Sequence, residues 1–286
     1  MSLPPPSAPT QAELVACYRH PSRPAGKRCT RCGRPCCDDC LTRAAVGSNC
    51  PDCLRAARPA ATTRVRHWQA RHPALVTRAL VAANVAVFVY LTLRDPGSLG
   101  GTVSAGQYDL GLSARFLTES PVEWYRLISS GFVHFGLLHV GFNMYLLYQL
   151  GHLLEPEIGR VRFALAYLAA LLGGSAGAMA LQPNGLHGGA SGAVFGLMGL
   201  AFVGFRLRGI NPMNTGIGSL LILNLVITFV IPGISIGGHL GGVLVGAAAA
   251  PLLLSPRRVD APRALTGLIL LSVASALIAL VSVGAL

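Results

Sequence analysis

From residue 74 onward the chain alternates between long apolar runs and short polar turns. The runs cover residues 74–93, 132–152, 162–181, 190–205, 218–231, 236–254 and 264–286. About 20 apolar residues in helical conformation cross the hydrocarbon core of a bilayer. Most of the runs approach that length, and those at 190 and 218 are shorter. Seven membrane helices are the expected count, with six as the alternative if the last is peripheral. The first part of the chain reads differently. Residues 1–16 form a polar, Pro-rich tail expected to be flexible, and residues 17–53 are dense in cysteine. Residues 54–73 form a basic linker holding Arg55, Arg58, Arg64, Arg66 and Arg71, together with Trp68, a residue type that favours the membrane interface.

The turns between the runs alternate in charge. The linker before the first run is strongly basic, and the long loop 94–131 mixes signs. The next turn holds Glu155, Glu157 and Arg160, whereas 182–189 has no acid, Lys or Arg. Arg206 and Arg208 follow the fourth run, 232–235 is uncharged, and Arg257, Arg258 and Arg263 follow the sixth. Cytoplasmic loops carry the excess of Lys and Arg, so the N-terminus is expected inside and the C-terminus outside. Runs two, four and six then all begin on the outer side, and polar residues near their starts share one depth.

Composition supports this picture. The chain is 52% hydrophobic and 12% charged, where a soluble domain carries about 25% charged residues. The net charge is +12, and before residue 73 there are 12 Lys and Arg against 4 Asp and Glu. A basic segment of this kind can mark a nucleic-acid site. Beside membrane runs it reads instead as the anchor that keeps this end cytoplasmic, and no nucleic-acid partner is expected. The polar start lacks the hydrophobic core of a secretory signal. The expected location is the plasma membrane of a bacterium.

The candidate chemistry sits at those shared starts. Run two carries His134, His139 and Asn143; run four opens HGGASGAVFG with Ser191; run six opens IGGHLGG with His239. Ionisable groups inside membrane helices are costly and commonly functional. Taken singly, each has a plain structural reading, such as a hydroxyl bonded one turn back or an interfacial histidine. Together they form a catalytic constellation. Ser191 lies between Gly189 and Gly192, where backbone can approach its hydroxyl. A serine needs an adjacent base to be nucleophilic at neutral pH, and His239 is that base. His139 and Asn143, spaced i, i+4, share one helix face and can both donate to a developing oxyanion, along with the Ser191 amide at a helix start. These starts hold no carboxylate, so a dyad is implied. Gly238, Gly242 and Gly246 on run six and Gly192 and Gly196 on run four follow small-xxx-small spacing, which permits close helix packing and would bring Ser191 to His239.

At this point the sequence resembles the rhomboid family. The carrying residues are GASG at 189–192, the GH and small residues at 238–242, the histidine and asparagine pattern from His134 to Asn143, and the loop run Glu123-Trp124-Tyr125-Arg126. Tyr125 stands where the family commonly has tryptophan. The resemblance covers residues 74–254, with 255–286 as a loop and an added C-terminal helix. It implies an all-α polytopic membrane protein, a bundle of six helices plus one, and an intramembrane serine endopeptidase acting on transmembrane segments in the lipid bilayer. It also implies Ser191 as nucleophile, His239 as base, and His139, Asn143 and the Ser191 amide as oxyanion hole, with His134 and Gly189 in support. Phe195 stands where the family often has a tyrosine packed on the catalytic histidine; its ring can pack, but the hydroxyl is gone. A non-catalytic rhomboid-like protein that binds or escorts membrane clients is the alternative, although such a protein would be expected to lose Ser191 or His239. A transporter, the third reading, has no reason to carry GASG.

All eight cysteines lie between Cys17 and Cys53. In a reducing compartment such spacing favours metal over disulfides. The pairs Cys17/His20, Cys29/Cys32, Cys37/Cys40 and Cys50/Cys53 supply eight ligands, enough for two tetrahedral structural zinc ions, and catalysis requires no further cofactor. Cys36 is the spare. The module resembles a B-box-like cross-brace, in which pairs one and three share a metal, as do pairs two and four; sequential pairing is the alternative. Its candidate roles are binding a protein partner, sensing metal or regulating the protease.

Overall fold

The computed structural model of the chain describes residues 15–60, 63, 73–256 and 259–286. The expected flexible tail, apart from its last two residues, lies outside them, as do Arg64, Arg66, Trp68, Arg71, Arg257 and Arg258. The chain divides into two compact units, Met1–Arg71 and His72–Leu286.

The first unit is built from short pieces. Strands β1 (Lys27–Arg28) and β2 (Pro35–Cys36) pair antiparallel, as do β3 (Thr42–Arg43) and β4 (Ser48–Asn49). Helix α1 (Pro51–Ala56) starts directly after Cys50, with Pro51 at its first position, where a missing N–H costs nothing. The buried core is seven cysteines with Tyr18 and Leu41 packed against them. So little apolar surface cannot by itself offset the entropy of ordering the segment.

The second unit is helical. Its elements are α2 (Leu75–Arg94), three short helices in the following loop, α3 (Ala105–Leu110), α4 (Ala114–Thr118) and α5 (Arg126–Ser129), then α6 (Leu137–Ile158), α7 (Arg160–Leu181), α8 (Ser191–Leu207), α9 (Ile217–Val230), α10 (Ile236–Leu254) and α11 (Ala261–Ser282). Among the described residues, α2, α7, α10 and α11 are each long and apolar enough to cross a membrane; Arg126–Phe132 and Leu137–Ile158 qualify as one broken span bent by 97°, and α8 and α9 are shorter apolar helices. The protein is thus an integral membrane protein with a mostly helical fold.

One boundary departs from the sequence reading. Run two was expected to be helical from residue 132, with His134 on the helix. The helix starts instead at Leu137. Gly136, at φ +96°, breaks the chain direction, in a backbone region that glycine alone enters freely. His134 therefore lies in the bend, before the helix.

The glycine stripes explain the packing. A methyl group at Gly242 would overlap the carbonyl of Gly192, and one at Gly246 the carbonyl of Gly196. Helices α8 and α10 thus meet backbone to backbone along the stripe read from sequence. Helix α10 uses a second stripe as well: Gly237 meets Gly177 and Gly241 meets Gly173 on α7. Any side chain larger than hydrogen at these points would push two helices apart. Helix α8, at the centre, is buried continuously over residues 193–201.

Helix α2 is fastened by a distant acid. Glu155 on α6 is 2% exposed, and its carboxylate accepts from Val76 N (2.9 Å), Thr77 N (2.8 Å) and Thr77 Oγ1 (2.7 Å). The first N–H groups of a helix have no partner within it, and a carboxylate suits that positive end. Hydrogen bonds to charged groups contribute about 1.5–3 kcal/mol each, so this clasp rather than a local cap holds the start of α2.

Candidate active site and metal centres

The loop before α6 builds the floor of the site. Arg126 is 4% exposed. Its guanidinium donates to Glu123, to Tyr108 O at 2.7 Å and to Gly111 O at 2.9 Å, and it stacks over Phe116. The same hydrogen bond holds the Glu123 carboxyl below its ordinary range. Gln107, locked in a capping box with Ser104, donates Nε2–H to His134 O at 2.7 Å. These bonds carry the Glu123–Arg126 run, read as a loop motif, to the bend that holds His134.

The bend and the start of α8 are then joined directly. His134 is fully buried, and its Nε2 accepts from Ala190 N at 3.3 Å. Gly189 N donates to Ser130 O at 2.9 Å. With these amides held, Ser191 becomes the first residue of α8, and its own N–H lies among those with no partner inside the helix.

His139, on the first turn of α6, accepts from Phe135 N at Nδ1 over 3.2 Å. A ring nitrogen that accepts has no proton, so the neutral ring carries its hydrogen on Nε2. That nitrogen lies beside Gly189. A methyl group at Gly189 would lie 2.9 Å from His139 Nε2 and 3.6 Å from Ser191 Oγ, so Gly189, at φ +127°, is the gap between them. Asn143 Nδ2 donates to His139 O at 2.9 Å, which engages one of its two amide hydrogens.

His239 is 7% exposed and stacks on Phe195, with ring centroids 3.9 Å apart and planes 15° from parallel. Phe195 is one turn after Ser191 on the same face of α8, so the imidazole covers the first turn of the serine's helix. His239 Nδ1 lies 2.6 Å from Thr228 Oγ1 on α9. Ser191 and His239 are not hydrogen-bonded to each other in this state; such contacts commonly tighten only with substrate. Beside the serine is a cavity of about 40 Å³ lined by Ser130, Ser175, His187, Ser191 and Ser235 among others. A water needs at least about 10–15 Å³ of such space, so the cavity admits one.

Thr228 was missed in the sequence. Its signal was an Asn224/Thr228 pair at i, i+4 in an otherwise apolar run, but nothing in the spacing tied that pair to a histidine on the next helix.

The cysteine module groups its ligands as two sets, Cys17, His20, Cys37 and Cys40, and Cys29, Cys32, Cys50 and Cys53, with the donor atoms of each within 4.8 Å of one another. Pairs one and three and pairs two and four come together, which is the cross-braced arrangement. The donor set fits a tetrahedral ion. Zinc–sulfur bonds of about 2.3 Å at tetrahedral angles put sulfurs roughly 3.8 Å apart, and Cys32 Sγ and Cys50 Sγ are separated by 3.7 Å. His20 Nδ1 is 3.4 Å from both Cys37 Sγ and Cys40 Sγ. Cys50 N donates to Cys29 Sγ at 3.2 Å, the kind of outer bond that steadies a ligating thiolate. Cys36 belongs to neither set and donates to Arg34 O at 3.3 Å.

A broken-span helical membrane fold, with a serine at a helix start between two buried histidines, defines a narrow class of protein. Residues 121–256 match the family model of the rhomboid domain, and the chain accordingly carries a rhomboid domain. Its relatives agree. Rhomboid protease GluP of Bacillus subtilis (strain 168) is 36% identical over 138 residues, 47% of this chain and 27% of that protein. Putative rhomboid protease YdcA of the same strain is 34% identical over 128 residues, 43% of this chain and 64% of that protein. Rhomboid-type serine protease 2 of Emericella nidulans is 34% identical over 139 residues, 45% of this chain and 27% of that protein. The match spans 27% of two of these relatives and 64% of the third.

Proposed function

We propose that the rhomboid domain is an intramembrane serine endopeptidase that cleaves transmembrane segments of membrane proteins. The observation that carries this reading is the convergence at Gly189, where His139 Nε2–H and Ser191 Oγ face one small gap while His239 lies over the next turn of α8. In the reaction, the Ser191 Oγ–H bond breaks as Oγ bonds to the scissile carbonyl carbon, and the proton passes to His239 Nε2. The oxyanion takes hydrogen bonds from the Ser191 amide, His139 Nε2–H and the second amide hydrogen of Asn143. Collapse breaks the C–N bond, and His239 returns the proton to the leaving amine. A water in the adjoining cavity then hydrolyses the acyl-serine with His239 again as base. Phe195 holds the imidazole in plane without supplying a hydroxyl. The direct test is labelling of the purified protein with a fluorophosphonate. Ser191 should be modified, and failure to label an active preparation would remove the serine assignment.

Losing one oxyanion donor typically lowers rate by about 10²–10³-fold. His139→Ala and Asn143→Ala should therefore each lower kcat by about that factor while still reacting with substrate. Wild-type rates in both would make this face of α6 structural.

The charge pattern of the turns supports a cytoplasmic N-terminus and an outward-facing active site. A reporter fused after Leu286 should be read outside; a cytoplasmic reading would reverse the orientation. In a cytoplasmic setting the first unit would hold two structural zinc ions through its seven thiolates and His20, each closed by four protein ligands and supplying cross-links rather than chemistry.

A further inference from the structure

Helix α9 is largely unenclosed along its middle and second half. Ile222, Leu223, Val226, Phe229 and Val230 are each at least half exposed. Its buried residues are Ile217, Gly218 and Leu221 in its first five positions, then Thr228 near the other end. Thr228 is 2% exposed and is the point where α9 touches the candidate site.

Its hydroxyl has two neighbours and one proton. Oγ1 lies 2.8 Å from Asn224 O, one turn back, and 2.6 Å from His239 Nδ1. Threonine in an apolar helix characteristically donates to the carbonyl four residues earlier. With its hydrogen there, Oγ1 offers His239 only lone pairs. An unprotonated Nδ1 would set lone pair against lone pair at hydrogen-bond distance, buried away from water, an arrangement left unsatisfied at full cost. Nδ1 must then carry the ring proton. The other nitrogen, Nε2, is left with the lone pair that a base needs. The opposite arrangement, in which Thr228 donates to Nδ1, would place the hydrogen on Nε2 and leave nothing to receive the Ser191 proton.

We propose that Thr228 is a positioning residue that fixes His239 in its Nδ1–H tautomer and so presents Nε2 as the base toward Ser191. It acts through the histidine and touches no substrate. The kinetic part of the inference rests on the reading of Ser191 and His239 as a proteolytic pair; the tautomer does not.

The test uses the full-length protein in a bilayer mimic, with ¹⁵N-labelled histidine, and takes as His239 the resonances lost in His239→Gln. In the wild type, Nδ1 should appear protonated and Nε2 unprotonated. In Thr228→Val, which keeps the shape without the acceptor, the two tautomers should mix. Because a positioned general base is worth about 10²–10⁴-fold in rate, losing only its orientation should lower kcat by roughly tenfold with KM unchanged. Thr228→Ser, which retains the hydroxyl, should recover most of the loss. Finding the proton on Nε2 in the wild type overturns the proposal, as does a Val variant with wild-type kcat and an unmixed tautomer. If the Nδ1–H tautomer is found but Ser191→Ala still cleaves, the proteolytic reading fails and the tautomer assignment stands.

Discussion

Replacing Ser191 by Ala, or His239 by Ala, will reduce cleavage of a transmembrane substrate by on the order of 10⁴-fold or more. The size follows from the chemistry. Without Oγ no acyl-enzyme can form, and without the imidazole the hydroxyl has no base to take its proton. The two losses should also fail to add, since either one removes the same unit. Folding should survive both changes. Ser191 is only partly buried and lines the cavity, and the contact between α8 and α10 runs through Gly192, Gly196, Gly242 and Gly246, none of which is altered. His239→Ala empties space over Phe195 and leaves Thr228 without its second partner, so insertion and thermal stability are to be measured beside activity. Full cleavage by purified Ser191→Ala protein would end the assignment.

Stripping metal from the first unit should unfold it while leaving the helical unit intact. Structural zinc contributes about 10–16 kcal/mol of apparent binding free energy in small domains at neutral pH, comparable to the whole stability of a typical domain, about 5–15 kcal/mol. Here it would bind a unit whose core is largely its own cysteines. Elemental analysis of the freshly purified protein should give two zinc ions per chain. With a strong chelator, amide exchange over residues 17–53 should collapse toward that of an unfolded chain, and protection in α6, α8 and α10 should not change. Ligand deprotonation links binding to pH, so acid should release the metal as the thiolates and His20 take up protons. A metal count near zero, or unchanged exchange after chelation, would refute the assignment.

The lengths of the apolar runs announced which segments are helices, because a bilayer-spanning helix needs a set number of apolar residues whatever its neighbours. The glycine spacing likewise announced a close α8–α10 contact, since a flat helix face can be read from a four-residue period. The eight candidate metal ligands were legible one pair at a time, because each pair lies within four residues. What needed the tertiary structure was every relation between distant segments. Which cysteine pairs come together depends on how the chain between them folds back, and both pairings have the same local spacing. The break at Gly136 that takes His134 off α6 depends on a backbone angle, and the apolar run continues through it unmarked. The Glu155 clasp on α2 spans 78 and 79 residues of chain, and an acid in a turn reads only as a charge. Thr228 looked like one more small polar residue in an apolar helix. Its significance came from the histidine eleven residues on, brought beside it when α9 and α10 fold back on each other, and a hydrogen bond between two helices leaves no period in the sequence of either.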